Sequence, residues 1–200
     1  MMNLKALIKW SCSHYGHLPW RQSRSLYSTL VSEIMLQQTT VGTVLNHYHR
    51  FLKRFPSIKS LAMACEEDVL IEWKGLGYYR RAKNLRKACI HLWENYRGQI
   101  PLDFEKLIAI PGIGEYTANA LLAIGGNKKT IALDANLERV IARLYGIKEK
   151  KGPKLLKHIY ALFDDDKIFS HDPQKVSFRH LNEALMDLGR TYCQSRKTRC

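Results

Sequence analysis

The sequence predicts an all-α fold, and three observations support this class. Apolar residues recur at helical spacing along nearly the whole chain, whereas the alternating pattern of half-buried strands is scarce. Glycine, proline and cap-forming residues divide the periodic stretches into segments of ordinary helix length. The 200 residues, 46% hydrophobic and 25% charged, suffice for one domain or two small lobes with a buried core.

The breaks between these segments predict where each helix begins and ends. Gly16 ends the first helix, Ser25 can cap the second, Pro56 closes the third and Gly98 terminates the longest. The predicted helices are residues 4–15, 26–36, 39–55, a short one from Ser57, 66–73, 78–96, 104–108, 115–123, 136–145, 154–163 and 176–192. The inner face of the longest helix is expected to consist of Ala82, Leu85, Ala88, Cys89 and Leu92.

A glycine-rich turn joins two of these helices within residues 103–136. Ile110-Pro111-Gly112-Ile113-Gly114 stops the first helix, because proline lacks an N–H group and glycine tolerates positive φ. A turn with two glycines before a helix start exposes unpaired backbone N–H groups, which form an anion site. In a basic protein the anion is expected to be a phosphate, and an ordinary helical hairpin is the alternative.

The charge of the chain indicates its class of partner. Lys and Arg number 32 and Asp and Glu 18, a formal net charge of +14 at pH 7, which favours nucleic acid first and an acidic membrane surface second. No apolar run approaches the ~20 residues that a spanning helix needs, and no signal-peptide h-region is present, so a cytosolic protein is expected. The cysteines are then thiols or metal ligands, with Cys12, Cys65 and Cys89 expected in the core.

Two carboxyl groups, far apart in the sequence, are candidates for acid–base chemistry. Glu33 lies in an otherwise apolar helix, where burial would raise its pKa and make it a proton donor near neutral pH, although an outward-facing position is the alternative. Asp134 precedes a helix, where an N-cap role and the helix-end N–H groups would keep it anionic. One neutral and one anionic carboxyl form the pair that expels a leaving group and stabilises the remaining cation.

Further polar and aromatic residues follow these helices. Gln37 and Gln38 end the Glu33 helix, and their amides can be solvated or can reach base edges. Tyr78 and Tyr79 precede three basic residues, a combination suited to base stacking with phosphate contacts, although buried tyrosines are an equal alternative. The basic residues are Arg80, Arg81 and Lys83.

Five motifs together resemble a known family. They are LPWR at 18–21, SEIMLQQT at 32–39, WKGLGYY at 73–79, IPGIG at 110–114 and MDLG at 186–189. Their order resembles that of the A/G-specific adenine glycosylases (MutY type), a branch of the helix-hairpin-helix DNA glycosylases. The resemblance covers almost everything from Leu18 to Cys200. Residues 33–38 and 75–79 are specific to the adenine branch, whereas the hairpin is shared across the superfamily.

The resemblance implies a two-lobed fold with DNA bound across the groove between the lobes. Residues 22–130 would form a six-helix lobe, and residues 1–21 with 131–200 an iron–sulfur cluster lobe. Adenine mispaired with 8-oxoguanine or guanine would be flipped out of double-stranded DNA, and its N-glycosidic bond hydrolysed. A monomer in the cytoplasm is expected, associated with the nucleoid if the protein is bacterial.

The same resemblance assigns roles to individual residues. Glu33 would protonate the adenine ring and help activate water, and Asp134 would stabilise the oxocarbenium-like sugar, with Tyr116 and Asn136 orienting both. Tyr78 would wedge into the base stack, and the hairpin glycines would hold a phosphate, with a monovalent cation as a further ligand. The residues expected to bind DNA are Arg21, Gln37, Gln38, Tyr78, Gly112 and Gly114.

Tyr116 separates branches of this superfamily. Relatives with strand-cleaving lyase activity, such as endonuclease III, carry a lysine at this position, and its amine forms a Schiff base. A phenol cannot do so, and a monofunctional enzyme is therefore expected. Tyrosine also occurs in relatives that release thymine from G·T mismatches, so a thymine glycosylase is one alternative and a non-catalytic DNA-binding module the other.

The chain departs from the family pattern in three places. The [4Fe-4S] loop of the family needs four cysteines, and only the first two are present, as Cys193 and Cys200, so a fragment cut inside this loop is expected. We expect the C-terminal lesion-recognition domain of the family to be missing from this chain, which leaves the preference for 8-oxoguanine over guanine open. Ser25-Leu26 replaces the usual residue plus proline before the Glu33 helix, and Ser25 can still cap it.

Overall fold

The computed structural model describes residues 3–149, 152–164 and 177–195. Within these ranges the regular structure is helical and contains no β-strand, which confirms the all-α prediction. The helices are α1 (Leu4–Tyr15), α2 (Pro19–Gln22), α3 (Leu26–Leu36), α4 (Val41–Arg54), α5 (Ile58–Met63), α6 (Glu66–Trp73), α7 (Arg80–Tyr96), α8 (Phe104–Ile108), α9 (Glu115–Ala120), α10 (Ala135–Leu144), α11 (Pro153–Asp164) and α12 (Phe178–Thr191). A π-helical turn, Leu121–Gly125, continues α9.

Most helix boundaries agree with the sequence prediction, and the exceptions have local causes. The predicted helices over 26–36 and 66–73 match α3 and α6. Helix α7 begins two residues later than expected, because Gly77 and Tyr78 have left-handed φ angles of 70° and 46° that an α-helix does not contain. The start predicted at Val176 lies outside the described residues, and α12 begins at Phe178.

Ser25 caps α3 as its sequence position predicts. Its hydroxyl accepts from the Ser28 backbone N–H at 3.0 Å, and the Ser28 hydroxyl accepts from the Ser25 backbone N–H at 2.8 Å. This reciprocal pair satisfies two donors at the helix start. The replacement of proline therefore leaves the start of the Glu33 helix well defined.

The chain divides into two compact units. One comprises residues 17–126, and the other combines residues 1–16 with 127–200. These boundaries lie a few residues from those expected from the resemblance. No helix in the described part of the chain has the length and apolar character needed to cross a bilayer.

Aromatic and aliphatic side chains form the core of the 17–126 unit. Phe51 packs edge-on against Trp73, and Trp20 against Tyr48, with ring centroids 5.6 Å apart in both pairs. The five residues predicted on the inner face of α7 are all buried, at about 1.5–3 kcal/mol of stabilisation for each leucine. Burial also raises the pKa of the Cys89 thiol to about 12, so this cysteine is an inert core residue.

The core position expected for Cys12 and Cys65 is wrong, since both are exposed. Cys65 occupies the N-cap of α6, where its sulfur accepts from the Asp68 backbone N–H at 3.4 Å. An N-cap side chain lies beside the first turn of its helix. The apolar residues around Cys65 in the sequence therefore do not determine whether its side chain is exposed.

The core of the second unit joins the two ends of the chain. Helix α1 packs along α12, and α10 also packs against α12. A buried polar contact ties the ends together, because Ser11 donates its hydroxyl proton to Asp187 Oδ2 at 2.6 Å and Arg190 donates to Asp187 Oδ1 at 3.0 Å. The apolar core of this unit includes Leu137, Ile141, Leu155, Ile159, Leu181 and Leu185.

Asn182 fixes the segment that leads to Asp134. Its side chain is fully buried, and its Oδ1 accepts from the Ala132 backbone N–H at 2.8 Å. Its Nδ2 donates to the carbonyls of Thr130 at 3.1 Å and Phe178 at 2.7 Å. The amide thus pairs with one carbonyl and one N–H group of residues 130–132, as a neighbouring strand would.

Asn182→Asp is expected to destabilise the protein by roughly 1–3 kcal/mol, because a carboxylate oxygen would face two carbonyls that now accept from Nδ2. Urea unfolding followed by circular dichroism measures this change. The control is Asn95→Asp, where an exposed amide donates to the carbonyl of His91 and the expected cost is near zero. Equal costs at the two positions would contradict the role of Asn182.

Candidate active site

Glu33 lies inside the 17–126 unit and is only 6% exposed. The alternative of an outward-facing position is therefore wrong. Residues 27 to 35 of α3 are all buried, so this helix has no solvent face in the turn that carries Glu33. Local sequence could not decide this point, because burial on all sides depends on the helices that pack around α3.

Tyr116 reaches the Glu33 carboxyl from the start of α9, the helix that follows the glycine turn. Its hydroxyl donates to Glu33 Oε2 at 2.8 Å, across 83 residues of sequence. Tyr116 is half-buried in the first turn of α9, directly after the glycine turn. Two of the predicted site residues are thus brought together by a hydrogen bond that fixes the orientation of the carboxyl group.

The two hairpin glycines differ in what requires them. Gly112 has φ +89°, and a Cβ there would lie 2.7 Å from the Asn84 carbonyl oxygen. Gly114 has φ −96°, and a Cβ there would meet no atom within 4 Å. Gly112 is therefore required by the backbone, whereas Gly114 leaves open space beside the start of α9, where a helix presents unpaired N–H groups. Space of this kind suits an anion.

The two glutamines at the end of α3 have different surroundings. Gln37 Nε2 donates to the Thr117 hydroxyl at 3.2 Å, which places this amide against α9. Gln38 is exposed and has a left-handed φ of 55°. The structure therefore presents Gln38 to solvent, while Gln37 is half-buried and bonded to Thr117, the residue that follows Tyr116.

Among the aromatic and basic residues around Gly77, only some are available at the surface. Tyr78 is 62% exposed. Arg81 is buried and donates to backbone carbonyls, so its interpretation as a phosphate ligand is wrong. Lys83 Nζ forms an ion pair with Glu66 Oε1 at 2.6 Å. Arg21, another residue predicted to bind DNA, is half-buried in α2.

Asp134 caps α10 in the second unit, as predicted. Its Oδ1 accepts from the backbone N–H groups of Asn136 at 3.0 Å and Leu137 at 2.8 Å. Its Oδ2 accepts from the Asn136 side-chain amide at 3.0 Å. These three N–H donors fix the position of the Asp134 carboxyl group at the start of the helix. Burial and this neighbouring carboxylate raise the pKa of Glu138.

Arg139 supports this cap and was not identified from the sequence. Its Nη2 donates to Asn136 Oδ1 at 2.8 Å and to the Gly189 carbonyl at 3.1 Å, and its Nε donates to the Cys193 carbonyl at 2.7 Å. Arg139 thus joins Asn136 to the end of α12. Two of its acceptors, Gly189 and Cys193, lie 50 and 54 residues away in the sequence, and no local pattern could indicate them.

Cys193 is the one predicted metal ligand within the described residues. It is 5% exposed, and its sulfur accepts from Arg143 Nη1 at 3.2 Å. Cys200 lies outside the described residues, and the described ranges contain no cluster of three or more metal-binding side chains. The iron–sulfur cluster stays a prediction.

Comparison with protein families gives a match over residues 31–163 to the model described as "HhH-GPD superfamily base excision DNA repair protein". The matched region contains Glu33, Tyr116 and Asp134. It also contains the glycine turn and its two flanking helices.

Individual proteins agree with this match. The chain is 40% identical over 187 residues to the adenine DNA glycosylase of Buchnera aphidicola subsp. Acyrthosiphon pisum, covering 92% of this chain and 51% of that protein. A thermostable thymine-DNA glycosylase structure matches with a TM-score of 0.84 and 26% identity, covering 98% of this chain and 88% of that one. An endonuclease III–DNA complex shares the fold, with a TM-score of 0.73 and 20% identity over 100% of this chain and 92% of that one. The chain spans about half the length of the curated relatives it matches.

Gly112→Ala is expected to destabilise the protein by about 1–3 kcal/mol, because it combines a positive φ with a contact to the Asn84 carbonyl. Gly114→Ala is the matched control, since its backbone is extended and its Cβ would be unobstructed. Thermal unfolding of both variants measures the difference. A Gly114 variant as unstable as the Gly112 variant would contradict this distinction.

Proposed function

The chain belongs to the HhH-GPD superfamily of base excision DNA repair proteins, and we propose that it is an adenine DNA glycosylase. It would hydrolyse the N-glycosidic bond of adenine mispaired with 8-oxoguanine or guanine in double-stranded DNA. The observation that carries this proposal is the buried Glu33 carboxyl with its hydrogen bond from Tyr116. The similarity to a curated adenine DNA glycosylase over most of this chain supports the choice of base.

Glu33 supplies the proton in this proposal. Departure of neutral adenine requires a proton on a ring nitrogen, and a carboxylic acid held beside the base can donate it. Tyr116 holds the carboxyl in one orientation through its hydrogen bond to Oε2. General acid catalysis of this type contributes roughly 10²–10⁴ in rate. The same carboxylate, once deprotonated, assists the attack of water.

Asp134 stabilises the positive charge that develops on the sugar. Its carboxylate is fixed by the start of α10 and by Asn136, so its charge needs no reorganisation during the reaction. A transient covalent bond from this carboxylate to the sugar is an equivalent route to the same stabilisation. Arg139 is the positioning residue for Asn136.

The exposed residues of the 17–126 unit engage the DNA in this proposal. The Gly112–Gly114 turn binds a phosphate, with a monovalent cation as an additional ligand. Tyr78 and Gln38 occupy the gap left by the extruded adenine, and Gln37 and Arg21 contact the strand nearby. Flipping the adenine out of the duplex costs a few kcal/mol. Cys193 and Cys200 would provide two thiolates for an iron–sulfur cluster. The protein would act as a monomer on the DNA of the cytoplasm or nucleoid.

A thymine-releasing enzyme is the second candidate, and the comparisons do not favour it over adenine release. The thermostable thymine-DNA glycosylase gives a TM-score of 0.84 with this chain. Tyr116 is compatible with both activities, so the released base has to be measured. The non-catalytic module is less favoured, since phosphate binding needs neither a buried Glu33 nor a tyrosine bonded to it.

Glu33→Gln is expected to slow adenine release at least about 100-fold while leaving DNA affinity nearly unchanged, because the amide keeps the shape but donates no proton. Single-turnover assays on duplexes with A opposite 8-oxoguanine, A opposite G and T opposite G measure the released base. Tyr116→Phe is the matched variant, since it removes only the hydroxyl bonded to Glu33, and a smaller loss is expected.

Thymine release in place of adenine release would support the second candidate. Unchanged adenine release by the Glu33 variant would exclude this residue as the acid. Release of neither base by the wild-type protein, with DNA binding retained, would support the non-catalytic module.

Tyr116→Lys is expected to introduce some strand cleavage, because a primary amine at this position can form a Schiff base with the sugar, whereas the phenol cannot. Borohydride reduction would trap the intermediate as a covalent protein–DNA adduct on a denaturing gel. Tyr116→Met is the control without an amine. Absence of an adduct on DNA that the lysine variant binds would argue against this position for Tyr116.

A further inference from the structure

Arg81 is a buried charge whose partners are neutral. It is 8% exposed and lies in the first turn of α7. Its guanidinium donates to five backbone carbonyls and one hydroxyl, and these belong to two separate segments of the 17–126 unit. Nε is buried and finds no hydrogen-bonding partner within the described residues. An arginine with this set of acceptors is a bridge within the protein and not a ligand for DNA phosphates.

One side of the guanidinium closes the end of α3. Nη1 donates to the carbonyls of Ile34 and Met35, both at 2.9 Å, and to the carbonyl of Gln37. The last carbonyls of a helix accept no hydrogen bond from within the helix, and they lie at the negative end of the helix dipole. A buried cation therefore satisfies the end of the helix that carries Glu33 and the glutamines.

The other side of the guanidinium holds the turn before α7. Nη2 donates to the carbonyls of Leu76 at 3.0 Å and Gly77 at 3.1 Å, and to the Thr39 hydroxyl at 2.9 Å. Thr39 in turn donates to the Leu76 carbonyl at 3.3 Å. The rings of Trp73 and Tyr78 each lie 5.5 Å from Cζ of Arg81. The guanidinium is thus enclosed by the turn that presents Tyr78.

The two segments share an uncommon backbone feature. Gln38 and Tyr78 have left-handed φ angles of 55° and 46°, which residues other than glycine rarely adopt. Arg81 binds the carbonyl directly before each of them, those of Gln37 and Gly77. Strained backbone of this kind persists where the surrounding contacts determine it, and it is concentrated at functional sites.

Only arginine can make this bridge. Its planar fork presents two nitrogens that bind acceptors on opposite segments at once, whereas the ammonium group of lysine is a single point donor. Burying a charge without an acid partner is costly, and an apolar side chain could fill the same space more cheaply. The arrangement therefore indicates that the geometry of the two segments, more than stability, requires Arg81.

We propose that Arg81 is a positioning residue that locks residues 37–39 and 76–78 into one rigid element. Gln38 and Tyr78, the two exposed side chains on this element, then enter the DNA at a fixed spacing. The use of this element on DNA rests on the proposed function, whereas the lock is a property of the free protein. The two parts can be tested separately.

The lock is tested by hydrogen–deuterium exchange in the absence of DNA. In Arg81→Lys the exchange of residues 37–39 and 76–79 is expected to rise together, by about tenfold, while the amides of α5 stay protected. Arg80→Lys is the matched control, because Arg80 is the exposed neighbour and is expected to change neither segment. A rise in only one segment, or in neither, in a folded Arg81 variant would overturn the proposal.

Thr39→Val serves if the Arg81 variant does not fold. It removes only the hydroxyl that accepts from Nη2 and donates to Leu76. A parallel rise of about threefold in both segments is expected. Unchanged exchange in both segments would count against the lock.

The use of the lock on DNA is tested by a double-mutant cycle that is made in the Glu33→Gln background. The measured quantity is the affinity for duplexes that contain A opposite 8-oxoguanine or A opposite T. Tyr78→Ala is expected to reduce the preference for the mispaired duplex about tenfold when Arg81 is present and less than about twofold in Arg81→Lys. Additive effects of the two changes would overturn the positioning role. A wild-type protein that releases no adenine would refute the proposed function, while the exchange result on the free protein would still decide the lock.

Discussion

The hydrogen bond between the Tyr116 hydroxyl and the buried Glu33 carboxyl is the interaction on which the rest of the site depends. It requires α3 to be buried on all sides at Glu33, which the packing of the 17–126 unit provides. It also requires α9 to begin directly after the glycine turn, which Gly112 permits by accepting a positive φ beside the Asn84 carbonyl. The glycine turn therefore positions the start of α9 so that Tyr116 reaches Glu33. Arg81 completes this arrangement by satisfying the end of the same helix.

The second unit contains the other candidate carboxyl group. Asp134 accepts three N–H donors at the start of α10, which fix its position. Asn182 holds the segment before Asp134, and Arg139 holds Asn136 after it, so the cap is supported from both sides along the chain. Glu33 and Asp134 thus lie in separate units, each held by hydrogen bonds within its own unit.

The local parts of this structure were predictable from sequence, and the long-range parts were not. Ser25 and Asp134 are caps because their side chains bond to N–H groups within three residues, which a sequence pattern records. The inner face of α7 follows from spacing alone. The burial of Glu33, the enclosure of Arg81 and the contacts of Arg139 depend on carbonyls and helices more than 40 residues away. Cys65 is the reverse case. Its apolar neighbours in the sequence predicted a buried side chain, whereas the structure places it at an exposed N-cap.

Proton transfer from Glu33 to the departing base is the central claim, and a single substrate analogue tests it most directly. A duplex carrying 7-deazaadenine opposite 8-oxoguanine keeps the shape of the substrate but replaces ring nitrogen N7 with a carbon that accepts no proton. The wild-type protein is predicted to bind this duplex and to release the analogue at least about 100-fold more slowly than adenine in single-turnover assays. Release of both bases at similar rates would contradict the account.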